Sequence, residues 1–283
     1  MTHSIASSNG TLYVVATPIG HREDITQRAV SILSSVDLIA AEDTRHSRVL
    51  LEALGIQTKL VAFHAHNESK ACVRLIESLQ KGQNIALISD AGTPLIRDPG
   101  YPLVVAAHKA DIKVVPIPGA CAFVAALSAA GVPSDVFTFG GFLPATKAAR
   151  IRALADFNAV ISHTLVFYES THRLLACLED IHEVFGKDVE FVIAKELTKV
   201  FEAFVRGNLD AVKAWFLADK ARLKGEFVVM ILPRIAKADS LADKKCLDIL
   251  LKDLPLKQAV KIAAALTGSS RNALYALAIS DKT

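Results

Sequence analysis

The sequence predicts an α/β protein, with a mostly parallel sheet crossed by helices in its first half. Three observations carry the expectation. Short Val- and Ile-rich runs alternate with amphipathic stretches from residue 12 to residue 130. Nearly every run ends in a loop of charged, glycine or proline residues. The apolar run 85–88 leads into Ser-Asp-Ala-Gly-Thr-Pro-Leu-Ile-Arg-Asp-Pro-Gly at 89–100, which delivers carboxylate, hydroxyl and bare backbone to one edge of a sheet. In open α/β sheets ligands bind beyond the carboxyl ends of the strands, so Asp90, Gly92 and Thr93 stand where a small molecule is expected. The alternative is a tight turn in which Asp90 caps the following helix.

Residues 12–16 form the first strand, broken by Thr17-Pro18-Ile19-Gly20. Asp24 is expected to cap a helix to about residue 36, with Ile25, Ala29, Ile32 and Leu33 on one face. The strand 38–41 ends in Glu42-Asp43-Thr44-Arg45, where Asp43 or Thr44 caps the next helix. The strand 59–63 is followed by His64 and His66. No cysteine or third histidine stands near them, so no metal site is expected. Asn67 caps a helix to residue 80. After the central loop come a helix at 100–110 and a strand at 113–117. Pro118-Gly119-Ala120-Cys121-Ala122 then opens a helix of small residues to residue 130. Its free N–H groups attract carboxylate or phosphate, although close helix packing explains the same small residues. Neither Gly-x-Gly-x-x-Gly nor Gly-Lys-Ser/Thr occurs, so the usual nucleotide fingerprints are absent.

Gly131-Val-Pro133 reads as a hinge into a second unit. The aromatic run 136–139 leads to Gly140-Gly-Phe-Leu-Pro144, then to a basic helix with Lys147, Arg150 and Arg152, suited to a phosphate backbone or simply to solvent. Strands at 164–168 and 189–194 end in Glu169-Ser-Thr-His-Arg173 and Lys195-Glu-Leu-Thr-Lys199. Two such strand ends facing the first unit would form a cleft suited to acid–base or phosphate chemistry. The runs 201–206 and 226–232 read as a strand pair flanking a helix at 209–219, with Gly225 offering another close backbone approach. A polar linker is expected at 234–245. Helices at 256–266 and 271–279, joined around Gly268, then suggest a helix-turn-helix or a plain packing appendage.

The 283 residues suffice for two modest α/β domains with a substantial core. No apolar run approaches the ~18 residues of a membrane span. The polar first ten residues lack the parts of a signal peptide, so a cytoplasmic protein is expected. Cys72, Cys121, Cys177 and Cys246 lie 49, 56 and 69 residues apart, which has no metal-ligand spacing and fits reduced thiols. From Lys237 onward there are eight Lys/Arg against five Asp/Glu, leaving 24 against 24 before it. The basic excess therefore lies in the tail, a weak sign of an anionic partner.

Eight motifs occur in order: Leu-Tyr-Val-Val-Ala-Thr-Pro-Ile-Gly (12–20), Ala-Glu-Asp-Thr-Arg (41–45), Ser-Asp-Ala-Gly-Thr-Pro (89–94), Asp-Pro-Gly (98–100), Pro-Gly-Ala (118–120), Gly-Phe-Leu-Pro (141–144), Tyr-Glu-Ser (168–170) and Glu-Leu-Thr-Lys (196–199). In these the chain resembles the tetrapyrrole-methylase-like class of S-adenosylmethionine enzymes, and within it the bacterial methyltransferases of small-subunit ribosomal RNA. The resemblance covers about residues 11–280. It implies two α/β domains, 11–118 and 119–235, with the methyl donor in the cleft between them, and a helical tail at 246–283. It also implies a homodimer and 2′-O-methylation of a decoding-centre cytidine of 16S rRNA in the 30S subunit. Three positions depart from the family's usual residues: His21 for Asn, Thr171 for Pro and Lys195 for Arg. Lys195 keeps the charge but loses the bidentate fork.

By that resemblance S-adenosyl-L-methionine lies against Thr17, Pro18, Asp90, Gly92, Thr93 and the Ala120, Cys121, Ala122 turn, with Tyr168 and Gly225 closing over it. A ribose hydroxyl is a poor nucleophile at neutral pH, so a base or cation is expected beside it. Lys195 would lower the hydroxyl's pKa while Glu169 or Glu196 accepts the proton; salt bridges from Glu169 to Arg173 and from Glu196 to Lys199 are the competing reading. Arg45, Arg48 and Arg97 at the cleft mouth would track phosphates. Lys147, Arg150, Arg173, Lys199 and the tail residues Lys257, Lys261 and Arg271 complete the expected RNA-binding set. Two other functions compete. Methylation of a tetrapyrrole carbon would need a flat apolar acceptor cleft, against which the arginines and basic tail argue. A non-catalytic RNA-binding or ribosome-assembly module would not bind the donor.

Overall fold

The computed structural model describes residues 9–160, 163–233, 240–267, 269 and 271–280. They divide into a compact unit up to Leu232 and a second from Pro233. The first unit opens with β1 (Thr11–Val15), α1 (Gln27–Ser35), β2 (Leu38–Ala41), α2 (Thr44–Ala53), β3 (Leu60–Ala62), α3 (Glu68–Gln80), β4 (Ile85–Ile88), α4 (Tyr101–Lys109) and β5 (Lys113–Ile117). The five strands form one parallel sheet in the order β3-β2-β4-β1-β5. Strand alternation divides its apolar side chains between two cores. Val15, Ile39 and Ile88 meet Ala29 and Leu33 of α1 and Leu51 of α2 on one face. Leu12, Ile85 and Leu87 meet Leu75 and Leu79 of α3 and Leu103 of α4 on the other. This order makes β4, β1 and β5 neighbours, so the loops after them share one stretch of the carboxyl edge.

The chain continues through α5 (Ala122–Ala130), β6 (Phe137–Phe142), α6 (Lys147–Val160), β7 (Thr164–Ser170), α7 (Leu174–Phe185), β8 (Phe191–Lys195), β9 (Ala203–Gly207), α8 (Leu209–Leu217) and β10 (Glu226–Ile231). The second sheet has the order β6-β7-β10-β8-β9, in which only β6 and β7 are parallel. The parallel expectation thus fits the first sheet alone. The expected pairing of the last two strands is corrected as well: β10 enters between β7 and β8, and β9 takes the edge. Because β10 runs against its neighbours, its first residues lie at the ends of β7 and β8, with Glu226 opposite Ser170 and Phe227 opposite Lys195. Gly225 reaches the ligand edge by this route. Leu165, Phe167, Phe191 and Ile193 pack under α6, α7 and α8. Val166, Val192, Ala194, Val228 and Met230 pack with Ala126 and Leu127 of α5 and with Ile19 from the loop after β1.

Local capping corrects two expectations. Asp24 lies in a short 3-10 turn, and Thr26 caps α1 by accepting from the Ala29 N–H at 3.1 Å. Asn67 precedes α3 but does not cap it; its side chain accepts from the His64 N–H at 2.9 Å and donates to the Ala62 carbonyl at 3.0 Å.

The second unit contains α9 (Ser240–Leu250), α10 (Leu256–Thr267) and α11 (Arg271–Ser280), closed around Leu247, Val260, Ala263 and Leu274. The expected linker at 234–245 is therefore partly helix, and a boundary at 246 cuts α9; residues 234–239, like the Gly268 turn, fall outside the described residues. No helix among the described residues is long and apolar enough to cross a membrane.

Arg150 departs most from its sequence-based expectation. It is a buried α6 residue whose Nε donates to Asp180 Oδ2 of α7 at 2.7 Å and whose Nη1 donates to the Pro144 and Ala145 carbonyls. Its guanidinium clamps α6 to α7 and is not an RNA contact. Asp180→Ala, which leaves that cation buried and unpaired, is expected to cost about 3–5 kcal/mol in urea unfolding, against less than about 1 kcal/mol for an exposed pair.

Candidate active site: a cleft with an acidic floor

Backbone hydrogen bonds join the loops after β1 and β4. The Thr17 N–H donates to the Gly92 carbonyl at 2.8 Å, and the Gly92 N–H donates back at 3.0 Å. Thr17 Oγ1 donates to the Ser89 carbonyl at 3.2 Å, and Thr93 Oγ1 donates to the Ala120 carbonyl at 3.0 Å, which adds the loop after β5. Gly92 has φ +84°, the left-handed region that glycine enters without strain. These bonds hold three loops beside the ends of β7 and β10, around a cleft of about 530 Å³.

Asp90, Gly92, Thr93, Cys121, Ala122, Tyr168 and Gly225 line that cleft. Thr17, Pro18 and Ala120 do not. Thr17 is buried beneath the loops it ties, Ala120 contributes an acceptor to Thr93, and Ile19 reaches the cleft instead. The Tyr168 hydroxyl accepts from the Phe123 N–H at 3.2 Å, fixing the ring against the start of α5. Burial pushes the Tyr168 phenol and the Cys121 thiol up, so both keep their protons at neutral pH. Gly225 has φ +115°, and a Cβ there would lie 2.5 Å from the Glu196 side chain. Thr171 holds it from both sides: its hydroxyl donates to the Gly225 carbonyl at 2.8 Å and accepts from the Gly225 N–H at 3.0 Å.

Of the expected catalytic trio, Lys195 and Glu196 do not line the cleft; Glu169 does, with its carboxylate held in an ion pair by Arg173. The pleat that turns Ala194 toward the α5 side turns Lys195 to the opposite face. There it is buried, its ammonium 6.0 Å from the Phe201 ring centroid. Glu169 shares that face, because β7 continues through Ser170. Its buried carboxylate receives Arg173 Nη2 at 3.1 Å and the Ser170 N–H at 2.8 Å. Glu196 accepts from Lys199 Nζ at 2.9 Å and from the Glu226 N–H at 2.9 Å. Burial raises Glu196, but these hydrogen bonds and the Lys199 and Lys195 charges outweigh it and hold the carboxyl below its ordinary value. Lys195 and Glu196 thus lie outside the cleft lining, and the two salt bridges weighed against a catalytic role, Glu169 with Arg173 and Glu196 with Lys199, are present.

The cations divide likewise. Arg45 is exposed but forks onto Asp43, the cap of α2, at 3.0 and 3.2 Å. Lys147 pairs with Glu183 at 3.0 Å, Arg173 also donates to the Leu143 carbonyl, and Lys199 bridges Glu196 and Glu226. Arg48 is exposed on α2, Arg97 lines the cleft, and Lys257, Lys261 and Arg271 are exposed in the second unit.

Glu226, which also lines the cleft, is paired with Lys199; two further lining carboxylates escaped the sequence reading, Glu42 and Asp98. With Asp90 they make an acidic floor, and among the described residues no Lys or Arg stands within ion-pair distance of any of the three. Asp90 Oδ1 accepts from the Asp43 N–H at 3.0 Å. Burial, then the Asp90 charge, raises Glu42 against a backbone hydrogen bond from Asp90 and the nearby His64. Burial, then the Glu42 charge, pushes Asp98 up to about 6, against a hydrogen bond from Ser89 and the Arg97 charge. The signal available in the sequence was the gathering of charge at two strand ends. The proximity of those ends was not visible.

The folded chain holds the Asp98 proton more tightly than its ordinary value of 3.8 implies for the unfolded chain. The Asp98 contribution to stability is therefore lost as pH rises from about 4 through 6. In thermal melts without ligand, Asp98→Asn is expected to melt above the parent at pH 7, the advantage shrinking toward pH 4.

Comparison with known proteins agrees with this architecture. Residues 11–213 match the family model of tetrapyrrole (corrin/porphyrin) methylases, and residues 237–282 match that of the RsmI C-terminal HTH domain. The ribosomal RNA small subunit methyltransferase I of Escherichia coli O157:H7 is 50% identical over 278 residues, 98% of this chain and 97% of that protein. The protein of the same name from Pseudomonas aeruginosa is 48% identical, covering 96% and 98%. Among solved structures, the uroporphyrin-III C-methyltransferase of Thermus thermophilus superposes with a TM-score of 0.55 at 22% identity, over 79% of this chain and 94% of that one. The methyltransferase CobJ gives 0.58 at 18%, over 80% and 95%. At such identities these two establish the fold alone. The chain belongs to the tetrapyrrole methylase family and, within it, to the ribosomal RNA small subunit methyltransferase I group.

Proposed function

We propose that this protein transfers the methyl group of S-adenosylmethionine to the ribose 2′-oxygen of a decoding-centre cytidine in 16S rRNA, on the 30S subunit, as a cytoplasmic homodimer. The observation that carries the donor half is the acidic floor. Glu42, Asp90 and Asp98 line a cleft and have no ion partner among the described residues, an arrangement that suits a ligand bearing a sulfonium and an ammonium. The full-length identity to proteins named for ribosomal RNA methylation supports the acceptor half.

S-adenosylmethionine supplies an activated methyl on a positively charged sulfur. The protein then has to bind the donor, align an acceptor oxygen with the methyl and exclude water. We assign donor binding to Asp90, Gly92, Thr93, Asp98, Cys121, Ala122, Tyr168 and Gly225, with Thr17 holding the loops. Asp98 would place a carboxylate against donor cationic or hydroxyl groups, and the tight backbone at Gly92 and Gly225 leaves room for close approach. As the oxygen–methyl bond forms, the hydroxyl proton must leave. Glu42 lines the same cleft with a raised carboxyl, which suits it to take that proton in place of Glu169 or Glu196. Arg48 and Arg97 in the first unit, and Lys257, Lys261 and Arg271 in the second, are the cations we assign to phosphate. The two sheets support reading 11–118 and 119–235 as two α/β domains, and the tail from Ser240 as a third.

The test is transfer from methyl-labelled S-adenosylmethionine to undermethylated 30S subunits, naked 16S RNA and a tetrapyrrole, with the modified atom mapped. Label on a ribose 2′-oxygen of the 30S subunit is expected. Label on the tetrapyrrole, or none in RNA despite donor binding, would discard the acceptor assignment.

A further inference from the structure

The floor of the cleft suits the donor, and one feature of its mouth is left over. β6 pairs with β7 as Phe139 with Val166, then Gly141 with Phe167 and Phe142 with Tyr168, so one extra residue enters between Phe139 and Gly141. Without that bulge Phe142 would pair with position 169, whose side chain turns to the α7 side. The extra residue re-aims Phe142 to the cleft face beside Tyr168, their ring centroids 5.6 Å apart. Two glycines permit it. A Cβ on Gly140 would lie 2.3 Å from the Phe167 ring, and Gly141 has φ +66°. Although it lines a cleft, Phe142 remains 44% exposed.

Arg97 meets that ring from the opposite wall. Its guanidinium carbon stands 5.6 Å from the Phe142 centroid, and a Cβ on Gly141 would lie 2.6 Å from Arg97 Cδ. Leu95 and Arg97 both have positive φ, at +70° and +75°, a conformation that bulky residues keep only where their surroundings impose it. Bulge and strained loop together bring a half-uncovered aromatic face and a guanidinium to the same point. A ring paired with a cation is the chemistry that receives an unstacked base and its phosphate. The donor's one anionic group is a carboxylate, and it carries no phosphate for that cation.

We propose that Phe142 is the platform on which the base of the acceptor nucleotide stacks, and that Arg97 passes from that ring to a phosphate flanking it. The proposal rests on the RNA methylation reading above. It requires the acceptor nucleotide to enter the cleft unstacked from its neighbours, as enzymes acting on a single nucleotide commonly demand. It makes Phe142 a determinant of RNA binding and leaves donor binding untouched.

The test compares Phe142→Leu, which keeps apolar bulk without a ring, and Phe142→Tyr, which keeps the ring. Initial rates are measured on undermethylated 30S subunits at saturating donor, with S-adenosylmethionine affinity measured by calorimetry. Phe142→Leu is expected to raise KM for the subunit roughly tenfold, the scale of one lost base stack, with unchanged donor affinity and with recovery in Phe142→Tyr. Independently, Arg97→Gln is expected to lower the slope of log affinity against log salt by about one. A Phe142→Leu variant with parental KM would overturn the proposal alone. So would weakened donor binding, which assigns the ring to the donor, or a salt slope unaltered in Arg97→Gln. A parent protein that transfers nothing to RNA would overturn both this proposal and the reading beneath it.

Discussion

The paired hydrogen bonds between Thr17 and Gly92 tie two parallel strand ends into one surface, and the rest of the site is arranged around that tie. β1 and β4 are adjacent in the sheet although more than sixty residues separate them in the chain, so their loops emerge side by side. The bond from Thr17 Oγ1 to Ser89 strengthens the tie, and that from Thr93 Oγ1 to Ala120 draws in the loop before α5. α5 in turn packs on the second sheet, where Ala126 and Leu127 meet Val166, Ala194 and Val228. A ligand edge is thus carried from one sheet to the next through ordinary apolar packing and a few main-chain bonds.

Charge is distributed within that frame by a simple division. At the α7 side of the second sheet every buried carboxylate has a cation: Glu169 has Arg173 and Asp180 has Arg150. On the cleft floor Glu42, Asp90 and Asp98 have one another and backbone N–H groups, and their burial raises two of them. Paired charges hold helices in register, whereas unpaired ones keep a standing demand for a positively charged ligand. The antiparallel entry of β10 completes the enclosure by bringing Gly225 to the same edge as Tyr168.

The first sheet and most cleft-lining positions expected of the site were legible because parallel strands announce themselves as continuous apolar runs and their ends by a change of composition. Asp90, Gly92, Thr93, Cys121 and Ala122 all belong to such ends. The second sheet was harder, since nothing local in residues 226–232 says that the strand will enter between two earlier ones. Where the Lys195 and Glu169 side chains turn was hidden for a related reason. The sequence shows that a charge sits near a strand end, but the face it takes depends on where the pleat stops, and β7 runs two residues further than its apolar core. Arg150 read as a surface cation because its partner Asp180 lies thirty residues away on another helix. The bulge that re-aims Phe142 was present as a glycine pair, a pattern that by itself says only that the backbone bends.

The central claim is that the acidic floor, held by the clasped loops, receives the methyl donor through the ionised Asp98 carboxylate. Calorimetric titration of S-adenosylmethionine at pH 5 and pH 7 tests it most directly. With the Asp98 carboxyl at about 6, affinity is predicted to fall about tenfold at pH 5 in the parent and much less in Asp98→Asn. Equal affinity at the two pH values in the parent, or an Asp98→Asn variant that binds as the parent does at pH 7, would contradict it.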